Sequence, residues 1–480
     1  MPEHTAKLKA SSLRLCFSNG WRMRNDGARV VLYKYSTEES EWRVIPPRTA
    51  LALTLFNGKD TLNEVALRLG RLAELSPRAA KEFLTELVAV FHVKDPILVE
   101  SETMPDRDWC LYAPDEMIIP VSEFDPSKRF DAPLSLLLMP FNGCDVDCKY
   151  CYSERRPIPD ACLLSTERWV AILNEAADAG VCIATFSGGD PMLHPGIMEI
   201  MDVLVERDFA FLMSTKSLIS DDTAGELADM GIGSRLFQIS LDAWTPDLAD
   251  HMVRSSGYRE RSVRSIRNLV RHGIRVRTNT VCTPENVHEA PTLVRRLQDL
   301  GVSKSSVTIY GRSMYRHSDA LFLPPDKIDW LREQIDVVKQ EMPEADISFN
   351  GSLIDHNAVP RDAKEAAWES RAHCSGGITS MTLCADGRVI LCEQMPQSNA
   401  YTAGSVAEHG LLEVWHSDRM RELAHPGRAK FKDTVCFDCE EFDKCHQETG
   451  YCFRDALNVY GTVYMPPPNC PQAPPSKRLA

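Results

Sequence analysis

Between residue 133 and about residue 310, short apolar runs alternate with amphipathic stretches of helical period. The runs Leu134–Met139, Val181–Phe186, Phe209–Met213, Leu236–Leu241, Ile274–Thr280 and Ser306–Ile309 are brief and rich in β-branched and aromatic residues, which predicts strands. Gly180, Gly231 and Gly273 fall where the intervening helices should stop. Six strand–helix units in series predict an α/β fold with a parallel sheet, open or curled into a partial barrel. In such barrels the chemistry gathers at the C-terminal ends of the strands.

The flanks read differently. Trp21–Met23, Val30–Tyr35 and Trp42–Ile45 predict three short strands. A helix then opens near Pro47 and stops at Asn57-Gly58. Thr61 and Glu64 have capping-box spacing, with Leu62, Val65, Leu69 and Leu72 following at helical intervals. Ser76-Pro77 opens a further helix whose apolar face holds Phe83, Leu84, Leu87 and Phe91. Three strands and three helices make a winged-helix-like module over 1–98, and the proline- and acid-rich stretch 99–130 reads as a linker. The barrel should fill 131–340, and over 345–480 the periodicity fades into a loop-rich, metal-stapled region.

Composition narrows the function classes. A net charge of −14 argues against nucleic acid as a partner. No run of about 18 apolar residues exists to span a membrane. Met1–Ala10 lacks the apolar run of a secretory signal, so the expected location is cytoplasmic. Sixteen cysteines in such a chain point to metal ligands or catalytic thiols rather than disulfides.

Cys144, Cys148 and Cys151 directly follow the first strand, in Asn-Gly-Cys-Asp-Val-Asp-Cys-Lys-Tyr-Cys-Tyr. Three thiolates on one loop can hold three irons of a 4Fe–4S cube and leave the fourth open, whereas structural zinc wants a fourth protein ligand. This Cys-x3-Cys-x2-Cys run resembles the signature of the radical S-adenosylmethionine (radical SAM) superfamily. The second strand then runs into Ser187-Gly188-Gly189-Asp190-Pro191, similar to that family's Gly-Gly-Glu motif with Asp for Glu. Ser240 and Arg254 resemble family residues near the ribose and carboxylate of the nucleoside cofactor, and Asn279-Thr280 to Asn286 closes the fifth strand in the family's manner. Ser214-Thr215-Lys216 departs from the Thr-Asn-Gly of many relatives. The resemblance implies a partial (β/α)6 TIM-like barrel that cleaves S-adenosylmethionine reductively to a 5′-deoxyadenosyl radical, served by a low-potential electron donor such as flavodoxin or ferredoxin. Cofactor contacts fall to Gly188, Gly189, Asp190, Ser240 and Arg254.

Cys374, Gly387 and Cys392, then Cys436-x2-Cys439-x5-Cys445-x6-Cys452 and Cys470, resemble the SPASM domain, a C-terminal cysteine-rich iron–sulfur domain with two auxiliary clusters. Its crossed ligation assigns Cys374, Cys392 and Cys452 to the first cluster and Cys436, Cys439, Cys445 and Cys470 to the second, three 4Fe–4S clusters in all. The six-residue Cys445–Cys452 spacer exceeds the family's usual three. The first cluster's fourth site is open to substrate or taken by Cys384 or His373. Cys16, Cys110, Cys162 and Cys182 read as small buried hydrophobes. Cys282, after the fifth strand, is a candidate catalytic hydrogen-atom donor.

The N-terminal module resembles the peptide-recognition domain of enzymes that modify ribosomally made natural products, which add a leader peptide as an extra strand. The expected substrate is therefore a leader-bearing precursor peptide that receives a crosslink, a thioether or an inverted stereocentre. The alternatives are a protein-modifying oxidase of the sulfatase-activating kind and a non-catalytic, zinc-stapled binding scaffold.

Overall fold

The structure is a computed structural model that describes residues 13–94, 96–100, 112–154, 158–159, 162–233, 235–351, 357, 359–371 and 373–476. Met1–Ala10 and Cys110 lie outside the described residues. The chain divides into two units, Met1–Asp131 and Ala132–Ala480.

In the first unit, β1 (Arg14–Phe17) and the antiparallel meander β2 (Trp21–Asn25), β3 (Val30–Lys34) and β4 (Trp42–Ile45) precede a helix over Pro47–Thr54. Next come β5 (Asn57–Thr61) and helices Leu62–Leu72 and Pro77–Val88. The capping box is present: Glu64 N–H donates to Thr61 Oγ1 at 3.4 Å, and Thr61 N–H donates to Glu64 Oε2 at 2.7 Å. Ser76 Oγ caps the last helix through Ala79 N–H at 3.2 Å. Leu72, expected on the apolar face, is exposed. Pairing of β1 with β5 and with β6 (Leu98–Glu100) builds a second three-stranded sheet.

The stretch expected as a linker carries structure of this same unit. Val99 and Glu100 lie in β6, Met117 and Ile119 enter the unit's core, and the Tyr112 hydroxyl accepts from Met23 N–H at 2.9 Å. Its prolines and acids mask short apolar anchors that hold it down.

In the second unit, β7 (Ser135–Leu138), β8 (Ile183–Phe186), β9 (Ala210–Thr215), β10 (Leu236–Ser240), β11 (Arg275–Cys282) and β12 (Lys304–Ile309) are neighbours in a parallel sheet, with helices between them. The six expected strands are all there. The sheet continues beyond them: β13 (Ile347–Asn350) pairs parallel with β12, and β14 (Ser380–Leu383) pairs parallel with β7. An antiparallel hairpin of β15 (Arg388–Ile390) and β16 (Thr402–Ser405) extends that edge to ten strands. The C-terminal region is thus partly regular, and it grows from the barrel's first edge rather than standing as a loose metal-stapled lobe. Trp169, Phe186, Phe211 and Phe237, all fully buried, fill the space under the helices. Among the described residues no helix is long and apolar enough to cross a membrane.

Candidate functional site

A cavity of about 550 Å³ opens at the C-terminal ends of the barrel strands. Cys144, Cys148 and Cys151 line it beside Gly188, Gly189, Asp190 and Ser240. Six strands deliver these groups because strand ends alternate buried and inward-facing residues; Ser214, Gln238, Asn279 and Thr308 continue the polar wall.

Backbone contact locks the cysteine loop onto the Gly188-Gly189 turn. Gly189 N–H donates to Phe141 O at 3.1 Å and Asp190 N–H to Gly143 O at 2.7 Å. Gly188 has φ +104°, which an L side chain resists. A Cβ on Gly189 would stand 2.2 Å from Gly143 O, so the second glycine exists for close approach of two backbones.

Asp190 is buried, and its carboxylate is fully engaged. Oδ1 accepts from Thr215 Oγ1 at 2.7 Å and Met192 N–H at 3.1 Å. Oδ2 accepts from Lys216 N–H at 2.8 Å, Ser217 N–H at 2.8 Å and Ser217 Oγ at 3.0 Å. Its side chain therefore organises the Ser214–Ser217 loop, the segment that departs from Thr-Asn-Gly, and Asp suits this better than a longer Glu.

Sequence reasoning passed over a polar network behind the cluster loop. The Tyr150 hydroxyl donates to buried Asp242, whose other oxygen accepts from Val281 N–H at 2.8 Å. Lys216 Nζ lies 3.4 Å from the Tyr150 hydroxyl, 3.5 Å from that of Tyr258 and 4.0 Å from Asp242. Burial opposes charge on Lys216, yet Tyr258, Cys148 and Asp242 outweigh it and hold the ammonium form. The signal was present in Tyr150 between two cysteines and in the lysine at the departing position.

Two expected residues stand elsewhere. Arg254, left-handed at the end of helix Pro246–Val253, does not line the cavity; its guanidinium donates to Asp147 of the cysteine loop at 3.1 Å. Cys282 packs among Val287, Ala290, Val307 and Ile309, away from the cavity, while its neighbour Val281 lines it. Burial, then the Asp242 charge, pushes that thiol well above its usual range. Cys282 is a core residue here, because strand alternation turns it outward to the helices. Cys162, expected to be buried, is exposed.

The later cysteines have two sets of electrostatic neighbours. Cys374, Cys392 and Cys452 all face the Arg454 guanidinium. Cys436, Cys439, Cys445 and Cys470 act on one another: burial and then neighbouring thiolates push Cys436 up to about 12, and burial chiefly takes Cys445 to about 11. Buried thiols that repel each other as thiolates match a cationic iron–sulfur core, which inverts that penalty. Among the described residues no three His, Cys, Asp or Glu side chains close on a single metal ion; cube ligands sit on separate irons and need wider spacing. Cys384 is buried at the β14–β15 turn, and His373 is exposed.

The first auxiliary group borders the same cavity. Gln394, two positions from Cys392, and Arg454, Asp455 and Asn458, in the helix that follows Cys452, line it. Arg454 holds Asp455 at 2.8 Å and the Gln394 carbonyl oxygen at 3.1 Å.

The radical SAM superfamily pattern matches residues 138–297, and that of the SPASM iron–sulfur cluster-binding domain matches 374–440. The chain carries a radical SAM domain and a SPASM domain. Its relatives include PqqA peptide cyclases: that of Granulibacter bethesdensis is 24% identical over 354 residues, 72% of this chain and 89% of the relative. That of Gluconobacter oxydans is 24% identical over 71% of this chain and 91% of its own. Streptococcus suis SuiB bound to S-adenosylmethionine shares the fold at TM-score 0.64 and 16% identity, covering 95% of this chain and 98% of SuiB. SuiB bound to its precursor peptide SuiA gives 0.65 at 16% identity, over 96% and 99%. The fold is therefore the radical SAM α/β barrel with a cysteine-rich SPASM extension.

Proposed function

We propose that this chain is a radical SAM peptide maturase that forms a crosslink within a ribosomally made precursor peptide. The observation that carries this reading is a cavity lined both by Cys144, Cys148 and Cys151 and by Gln394 and Arg454, each two positions from Cys392 or Cys452. A peptide segment entering it meets both. Relatives named peptide cyclases and a neighbour solved with its precursor peptide support the substrate class.

Cys144, Cys148 and Cys151 would hold a 4Fe–4S cluster; Cys374, Cys392 and Cys452 would hold a second, and Cys436, Cys439, Cys445 and Cys470 a third. When bound, the first cluster and S-adenosylmethionine supply the 5′-deoxyadenosyl radical that takes a hydrogen atom from the peptide. The protein's own part is positional. Gly188 and Gly189 offer backbone groups and Ser240 a hydroxyl to the cofactor, Asp190 fixes the wall beside it, and Arg254 steadies the cysteine loop through Asp147. Residues 1–131 dock the leader by strand addition, and a flavodoxin or ferredoxin in the cytoplasm supplies the electron.

The test is anaerobic reconstitution with iron and sulfide, followed by incubation with candidate leader-bearing precursor peptides. The expected product has lost two hydrogens and carries a new bond in tandem mass spectra, and alanine at Cys144, Cys148 and Cys151 abolishes both it and 5′-deoxyadenosine. An unaltered precursor beside active S-adenosylmethionine cleavage would refute the substrate class, and cleavage by the triple variant would refute the site.

A further inference from the structure

One residue beyond the end of β12, Tyr310 reaches the cavity wall and is nearly buried. Its hydroxyl lies 2.8 Å from His317 Nδ1, and the two rings stack at 10° with centroids 6.0 Å apart. On the far side of the imidazole, His317 Nε2 lies 2.8 Å from Asp319 Oδ1. One tautomer satisfies both contacts: a neutral imidazole protonated on Nε2 accepts from the phenol at Nδ1 and donates to the carboxylate. Phe322 packs on both rings, at 5.4 Å from Tyr310 and 5.3 Å from His317, and fixes the pair in place. The Asp319 side chain is 83% exposed and also meets Arg312, another cavity residue, at 3.1 Å. A phenol, an imidazole and a carboxylate thus run without a gap from the cavity wall to solvent, and none of them belongs to a cysteine ligand set.

We propose that Tyr310, His317 and Asp319 form a proton relay that carries the proton released by crosslinking from the cavity to solvent. The proposal rests on the crosslinking reading above, and the chemistry demands an acceptor. Joining two atoms of a peptide removes two hydrogens. One leaves as a hydrogen atom to the 5′-deoxyadenosyl radical. The other leaves as an electron, taken by an auxiliary iron–sulfur cluster of the SPASM domain, and as a proton. That proton goes to the Tyr310 oxygen while the phenol's own proton moves to His317 Nδ1. Asp319 stabilises the resulting imidazolium, and the Nε2 proton then passes to water at the exposed carboxylate; the neutral ring left with its proton on Nδ1 returns to the Nε2 tautomer before the next turnover. Burial raises the Tyr310 phenol above its ordinary value, so it stays protonated in the resting site.

The groups facing His317 are Tyr310 from the strand end, Asp319 beyond it and Arg312 through Asp319. The experiment uses full-length reconstituted enzyme with its precursor and reads crosslinked peptide per 5′-deoxyadenosine over about pH 5–8, where an imidazole titrates. Tyr310→Phe and His317→Gln each lower that ratio about 100-fold, the usual contribution of a positioned acid–base group. Asp319→Asn, harmless to folding at so exposed a site, lowers it less and moves the acid limb of the profile to lower pH, because the imidazolium loses its carboxylate. An acid limb unmoved in Asp319→Asn, or full coupling in His317→Gln with clusters intact, overturns the relay. A wild-type enzyme that makes 5′-deoxyadenosine but no crosslink overturns the crosslinking reading first, and the relay with it.

Discussion

Gly189→Ala isolates the junction between the cofactor turn and the cysteine loop. Its Cβ would stand 2.2 Å from Gly143 O and 2.6 Å from the Asn142 carbonyl carbon. Both are backbone atoms, so no rotamer change removes the overlap, and the turn must lift by about 1 Å to recover van der Waals separation. Lifting stretches the Gly189 N–H bond to Phe141 O, 3.1 Å, and the Asp190 N–H bond to Gly143 O, 2.7 Å. Two such bonds contribute about 2 kcal/mol together. The larger effect falls on chemistry, because a displacement of about 1 Å at a positioned group costs on the order of 100-fold in rate. The assay is 5′-deoxyadenosine formation under dithionite, with isothermal titration of S-adenosylmethionine and iron content as companions. Gly231→Ala is the control: it has φ +79° and nothing within 4 Å of its added Cβ, so it imposes backbone strain alone. The reasoning fails if Gly189→Ala matches Gly231→Ala in rate and cofactor affinity.

Asp190→Ala leaves five donors without their acceptor and should cost about 3–5 kcal/mol, several charge-assisted bonds being shared with entering water; Asp190→Asn retains one oxygen and should cost about half as much, both read as denaturation midpoints of apoprotein. Gly450→Ala should cost about 2–3 kcal/mol, because φ +76° with ψ 174° is essentially a glycine conformation; its Cβ would also press to 2.9 Å on Cys374 Cβ. Iron analysis and electron paramagnetic resonance of that variant should find one auxiliary cluster depleted and the Cys144–Cys151 cluster retained. Deleting residues 1–131 should preserve uncoupled S-adenosylmethionine cleavage and abolish modification of full-length precursor; the cut belongs there because Met117 and Ile119 lie in the N-terminal core.

The barrel strands were readable because each is a compact apolar run ended by polar or glycine residues. What escaped were strands whose partner lies far away or whose residues read as turn. β14 is only four residues, and its partner β7 lies some 245 positions earlier; β5, Asn-Gly-Lys-Asp-Thr, has turn composition and is a strand only because β1 pairs with it. The two cysteine-bearing domains were readable because motif spacing is local. The work of individual site residues was not. Asp190 reads from sequence as a cofactor contact, yet four of its five donors come from a loop 25 to 27 positions on. Arg254 sits in the expected loop, but Asp147, 107 positions back, claims its guanidinium. Neighbours of that kind are set by sheet order, which no short window contains.

The long spacer between Cys445 and Cys452 illustrates how the fold absorbs an irregular motif. Its first residues form a wide π-helical turn over Lys444–Thr449, which takes up more chain per turn than an α-helix. Gly450 then reverses direction with a positive φ, and Arg371 donates to its carbonyl at 3.3 and 3.4 Å. Cys374 N–H donates to Thr449 O at 3.2 Å, so the spacer's end is tied to the chain that carries the first cysteine of the other group. Cys445 stays within electrostatic reach of Cys436, Cys439 and Cys470, while the tie brings the end of the spacer to Cys374. Because Cys452 is also the N-cap of helix Phe453–Tyr460, that tie sets the phase of the helix. Phase decides which side chains meet the cavity: Arg454, Asp455 and Asn458 do, the last two being three apart on one face. A change in spacer length would thus rotate the substrate wall as well as move a ligand, which couples the geometry of the first auxiliary group to the shape of the peptide site.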